Sequence, residues 1–117
     1  MLVHFRNTKI EKEFSSEKEL VRAYGAEQAK MIMLRLSILR SARSLADLLL
    51  TPPLRAHELT GGRRGQISIT LRQPYRLILI PAHDPLPLKP DGGLDWQKVT
   101  EVFVTEVVDY HSPPNRP

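Results

Sequence analysis

Cysteine is absent from the 117 residues, which excludes a disulfide framework and any thiolate metal site. A cysteine-free chain fits the cytosol. Long apolar runs are also missing: none approaches the ~20 residues needed to span a bilayer. Met1-Leu2-Val3-His4-Phe5-Arg6 lacks the basic-then-apolar order of a secretory signal. The expectation is a cytoplasmic protein with no membrane contact. Carboxylates and histidines never gather at metal-ligand spacing, so neither a metal nor another cofactor is expected. There is no P-loop, no dinucleotide-binding glycine fingerprint and no Gly-x-Ser-x-Gly elbow. No internal repeat is present, and tryptophan occurs once, as Trp96.

What the chain does have is unevenly placed positive charge. The formal net charge is +4. Residues 21–80 hold ten Lys or Arg against three acids, Glu27, Asp47 and Glu58, whereas residues 81–117 hold three basic residues against six acids. Most of the excess is arginine, the better fork for phosphate. The asymmetry points to a polyanion or an acidic protein partner, or to a well-solvated basic surface.

The length suits one domain with a real core. Leu2 to Phe5 reads as a first or edge strand, and Asn7-Thr8 as the cap of a short helix through Phe14. Ser16-Glu17-Lys18-Glu19 has capping-box spacing, and Gly25 stops the helix that follows. Apolar residues then recur at three, four and seven from about Ala26 to Ser41. This predicts the main helix, with Leu34 in its stripe and Glu27, Lys30, Arg35 and Arg40 outside. Ser44 is a candidate cap for a last turn over Leu45 to Leu50, and Thr51-Pro52-Pro53 ends helical structure.

From Leu54 the period becomes two. Ala56 to Leu59 reads as a strand, Gly61 to Gly65 as a hairpin loop, and Gln66 to Arg72 as a strand with one buried and one wet face. Tyr75 to Ile80 is apolar on both faces apart from Arg76, hence central, and Val99 to His111 forms the last strand. Between them, residues 81–98 carry four prolines and Gly92-Gly93. They read as a loop inserted at a hairpin tip, anchored by Asp95-Trp96. Ser112 to Pro117 reads as a tail. The sum is an α+β domain over residues 1–111, with N-terminal helices on one face of a mainly antiparallel sheet of about four strands.

Four features are candidates to share the open sheet face: His57, the loop pair Arg63 and Arg64, Arg76, and the closing triplet Asp109-Tyr110-His111. An arginine in a central strand needs a partner, either Asp109 or a bound phosphate. Histidines, a tyrosine and arginines are a workable set for cutting RNA without metal. The 2′-hydroxyl attacks its own phosphate, a base takes its proton, an acid protonates the leaving 5′-oxygen, and cations hold the charged phosphorane. Imidazole serves either role near neutral pH. His4 and His83 are given no role.

The run His57-Glu58-Leu59-Thr60-Gly61-Gly62-Arg63-Arg64-Gly65-Gln66-Ile67-Ser68-Ile69, then Pro74-Tyr75-Arg76-Leu77-Ile78, then Val107-Val108-Asp109-Tyr110-His111, resembles the HigB branch of the RelE/ParE toxin superfamily. These are the toxin halves of bacterial type II toxin–antitoxin pairs. The insertion with Asp91-Gly92-Gly93-Leu94-Asp95-Trp96 resembles a subgroup often labelled "killer suppression protein". The resemblance implies a RelE-like fold and ribosome-dependent mRNA cleavage in the A site. It also implies a HigA-like helix-turn-helix antitoxin, through which alone operator DNA is contacted. By position, His57, Asp109, Tyr110 and His111 match the family's catalytic residues, with His111 as the best acid or base. Arg63, Arg64 and Arg76 match its RNA-phosphate contacts. Thr60 and Gly62 depart from it, standing where the family commonly has lysine and aspartate. The alternative is a non-catalytic module whose basic face docks an antitoxin or, as in the ParE branch, gyrase.

Overall fold

The structure, a computed structural model, describes residues 1–109. Tyr110, His111 and the 112–117 tail lie outside the described residues. The elements are β1 (Leu2–Phe5), α1 (Thr8–Glu13), α2 (Glu17–Tyr24), α3 (Ala26–Ser41), β2 (His57–Glu58), β3 (Ile67–Thr70), β4 (Tyr75–Pro81) and β5 (Glu101–Asp109). Turns of 3-10 helix occupy Leu45–Leu50, Pro52–Leu54, Gly61–Arg63 and Trp96–Lys98. The architecture is α+β, with the helices packed on a five-stranded mixed sheet of order β1-β5-β4-β3-β2.

The helix boundaries follow their caps. The Asn7 side chain accepts from the Ile10 N–H at 3.0 Å, and the Ser16 hydroxyl from Glu19 N–H at 3.1 Å. Gly25, at φ +87°, ends α2 and opens α3; its N–H donates to Val21 O and its carbonyl accepts from Ala29 N–H. A left-handed residue is cheapest there as glycine. Ser44 precedes the Leu45–Leu50 turn but makes no side-chain cap bond.

α3 spans the predicted residues, but two side chains trade places. Arg35 is buried, 8% exposed, while Leu34 is 54% exposed. Leu34 lies four residues after the exposed Lys30 and three before the exposed Ser37, and so falls on the outer arc. Arg35 lies three residues after Ile32 and four before Leu39, both fully buried, and so falls on the inner arc. Its polar head is accommodated by Thr70.

The sheet differs from expectation in its extent. β1 pairs in parallel with β5, adding a fifth strand beside the antiparallel β2–β3–β4–β5 set. The Leu2 N–H donates to Thr100 O and the Arg6 N–H to Val104 O, so β1 covers what would be an open edge of β5. Alternate residues Ile67 and Ile69, Leu77 and Leu79, and Val102 and Val104 pack against Ile10, Phe14, Leu20, Ile32 and Leu36 in one core.

β3 has no wet face: Ser68 and Thr70 are buried as well as Ile67 and Ile69. Ser68, between His57 and Ile78 in the ladder, is fully buried, and its hydroxyl has no hydrogen-bond partner among the described residues. Thr70 donates its hydroxyl to Pro53 O at 2.8 Å. β2 is only two residues long, and the last strand begins at Glu101 rather than Val99.

The 82–98 insertion is ordered by its own hydrogen bonds. Leu88 bridges to Leu94, the Lys89 N–H donates to Gly93 O at 2.7 Å, and the Asp95 N–H to Pro87 O at 2.8 Å. Trp96 packs against the core but stays half-buried.

Gln28 fastens α3 to the β3–β4 turn. Its amide oxygen accepts from Arg72 N–H at 2.9 Å and its amide nitrogen donates to Arg72 O at 3.3 Å, a side-chain copy of a strand ladder. Gln28→Ala removes both bonds, and urea unfolding should show a loss of about 1–2 kcal/mol. An unchanged midpoint would mean water replaces the amide at no cost.

Candidate active site

His57 sits at the sheet edge, opposite Ser68. Its ring Nδ1 lies 2.9 Å from the Arg55 carbonyl oxygen. A carbonyl only accepts, so Nδ1 carries the hydrogen, and Nε2 of the neutral ring keeps its lone pair. Arg55 is the one non-glycine residue with positive φ among the described residues, at φ 48°, ψ 44°. That left-handed turn, directly after Pro52–Leu54, places its carbonyl against the ring. A bulky residue adopts such a conformation only where its surroundings over-determine it.

The surroundings can be traced back into the core. Arg35 Nε donates to Thr70 O at 2.7 Å. The Thr70 hydroxyl donates to Pro53 O at 2.8 Å and lies 3.2 Å from Leu54 O. Burial pushes the Arg35 guanidinium below its ordinary pKa. α3, the end of β3 and the 52–55 turn are thus linked, and the link ends two residues before His57.

Cross-strand register makes a row of Ser68, Ile78 and Glu106, with His57 at the β2 end. Paired residues share a face, so His57 and Glu106 lie on the same side of the sheet. Arg76, two residues from Ile78 on β4, shares that side. Arg63 comes over it from the Gly61–Arg63 turn; its Nη1 lies 2.8 Å from Gln66 Oε1 and 3.1 Å from Glu106 Oε2. His57, Arg63 and Arg76 therefore gather on one face. Arg64 does not join them: it lines clefts beside Glu58, one of them shared with Leu86 and Leu88 of the insertion.

Asp109 is the other exception. Ile78 pairs with Glu106 but Leu79 with Val104, so Thr105 is an extra residue, a bulge whose hydroxyl donates to Ile78 O at 3.2 Å. The bulge reverses the alternation of β5. Beyond it, Val107 turns to the core and Asp109, opposite Tyr75, follows on that side. Arg76 is opposite Val108, so the pleat sets Arg76 and Asp109 on opposite faces of the ladder. Tyr110 and His111 lie outside the described residues.

Sequence reading missed three participants: Arg55, which holds the His57 ring; Glu106, which holds Arg63; and the Arg35–Thr70 link. Only Arg35 carried a signal, as a charge inside a continuous apolar pattern. His4 and His83 are accounted for elsewhere. The His83 Nε2 accepts from Thr100 N–H at 3.0 Å, and His4 meets Glu101 at 3.1 Å.

Beside His57 lies a cavity of about 690 Å³, walled by the insertion and the Leu45–Leu50 turn. Among the described residues no three His, Cys, Asp or Glu side chains come together as metal donors, and no helix is long and apolar enough to cross a membrane. No protein-family model matches the chain, and no curated protein matches it.

Proposed function

We propose that this chain is a HigB-like toxin with a RelE-like fold, which arrests translation in the cytoplasm by cutting mRNA in the ribosomal A site. A HigA-like helix-turn-helix antitoxin neutralises it and makes any operator contact. The observation that carries the reading is the His57 ring: its Nδ1–H is committed to Arg55 O, its Nε2 is left basic, and it shares a sheet face with Arg63 and Arg76.

The chemistry follows from the groups available. A neutral imidazole takes the 2′-hydroxyl proton as the oxygen attacks phosphorus, and a second protonated group delivers a proton to the departing 5′-oxygen. In this reading His57 and His111 form that pair, Tyr110 supports the substrate by stacking or hydrogen bonding, and Asp109 orients a neighbour. Arg64 meets the RNA backbone elsewhere, while Arg63 and Arg76 neutralise the phosphate beside His57. Arg63 does so by exchanging Glu106 for a phosphate oxygen. The pair is partly exposed, so the exchange has a small cost.

A second reading is favoured by that same ion pair together with Thr60 and Gly62. A cation already neutralised, without the family's neighbouring lysine and aspartate, suits a binding module that docks an antitoxin or gyrase and cleaves nothing. Mapping transcript 5′ ends after brief induction separates the two. New ends within coding sequence, abolished together with growth arrest by His111→Ala, are expected. Intact transcripts with replication blocked would leave only the binding module.

A further inference from the structure

The cavity beside His57 has a lining that the cleavage chemistry does not use. Leu49 and Leu94 supply apolar walls, Trp96 the chain's only indole, Lys89 a cation and Gln97 an amide, with His57 at one margin. Its volume of about 690 Å³ lies within the roughly 300–1,000 Å³ of small-molecule sites. A mostly apolar hollow with one large aromatic and a few polar groups is the usual form of such a site.

The walls are fixed in advance. The Leu45 N–H donates to Val99 O at 2.8 Å, tying the Leu45–Leu50 turn to the end of the insertion. The Asp95 carboxylate accepts from Gln97 N–H at 3.2 Å, which sets the turn carrying Trp96. The Leu88–Leu94 bridge closes the rest of the insertion on itself. A ligand entering here orders little that is not already ordered, and so loses little affinity to conformational entropy.

We infer that this cavity is a nucleobase pocket: it takes one unpaired base of a single-stranded RNA against Trp96, with Lys89 near the attached phosphate and the Gln97 amide near the base edge. An aromatic platform with a cation beside it is the general means of holding a base from a single strand. The inference rests on the RNA-directed reading above and gives the 82–98 insertion its purpose. A base seated here brings its own sugar–phosphate to the margin where His57 stands, so the pocket sets which linkage meets the ring.

Trp96 makes the test direct, because its fluorescence reports the pocket alone. The whole protein is titrated with AMP, GMP, CMP and UMP, and with ribose 5-phosphate as the baseless control. Saturable quenching by at least one nucleotide, and none by ribose 5-phosphate, is expected. Trp96→Ala, read by equilibrium dialysis, should weaken that nucleotide about 5- to 150-fold, the worth of one base–aromatic stack. Trp96 also packs on the core, so Leu49→Glu provides a second variant. Leu49 is 57% exposed, and a carboxylate there repels a nucleotide without touching the fold.

A flat titration with all four nucleotides, or equal quenching by ribose 5-phosphate, overturns the inference and leaves the hollow to a protein side chain. Transcript cleavage combined with a flat titration removes the pocket but not the toxin reading. Nucleotide binding without cleavage keeps the pocket and removes the mRNA-cleavage reading.

Discussion

In the toxin reading proposed above, His57→Ala is expected to lower ribosome-dependent mRNA cleavage about 10²- to 10⁴-fold, the usual contribution of one positioned proton-transfer group. The tautomer of the ring sets this effect, not its position alone. With Nδ1–H committed to Arg55 O, the ring offers Nε2 as a base in its neutral form. His57 is half-buried on a two-residue edge strand, so its removal should leave the melting temperature nearly unchanged. Cleavage in a translation extract is measured for each variant beside its thermal melt. Full activity in His57→Ala would remove His57 from the chemistry.

Arg55 supplies the control. Arg55→Gly retains the left-handed turn and the carbonyl, and should cleave like the parent. Arg55→Val, being β-branched, resists that conformation more than arginine does and should lose cleavage as the ring comes free. The two variants remove the same guanidinium, so a difference between them reports the backbone alone.

The sequence made most of the fold readable where a rule is local. Asn7, Ser16 and Gly25 mark their helix ends through hydrogen bonds within four residues, and those boundaries agree with the structure. α3 was legible in length because apolar residues fill it. Its rotation was not, because charge argues against spacing there: spacing sets Arg35 with Ile32 and Leu39 on the buried arc and Leu34 with Lys30 and Ser37 on the exposed one. Ser68 and Thr70 show the matching limit in a strand. Alternation identifies the strand, but whether the second face is wet depends on what comes over it from other segments, as Pro53 does at Thr70.

The candidate site was legible as a set of residue types and less so as an arrangement. His57, Arg63 and Arg76 gather because three strands in register carry or underlie them. Asp109 departs because one extra residue, Thr105, reverses the pleat two turns of alternation earlier. Nothing in Val102 to Val108, β-branched almost throughout, marks where such a bulge falls. The parallel β1–β5 pairing was hidden for a related reason: its partners lie about a hundred residues apart, and short strands carry no label for their neighbour.

Arg35→Ala is expected to destabilise the fold by about 2–4 kcal/mol, combining the hollow left by a buried side chain with the loss of a charged donor to Thr70 O. Arg35→Met separates the contributions. It fills most of the volume, and replacing a buried ion by an apolar side chain is often tolerated, yet it still leaves the Thr70 carbonyl without that donor. Chemical unfolding of both variants gives the two parts by difference. If Met restores the parent's stability, the guanidinium serves only to fill space. If it restores only part, the bond to Thr70 is what holds the 52–55 turn. Thr70→Val then decides whether the link reaches the site. It keeps the shape, removes the donor to Pro53 O, and should reduce cleavage more than its effect on stability accounts for, since the carbonyl that orients His57 lies at the end of that turn. An equal loss in the melt with cleavage untouched would confine Arg35 and Thr70 to the core and leave the turn to hold itself.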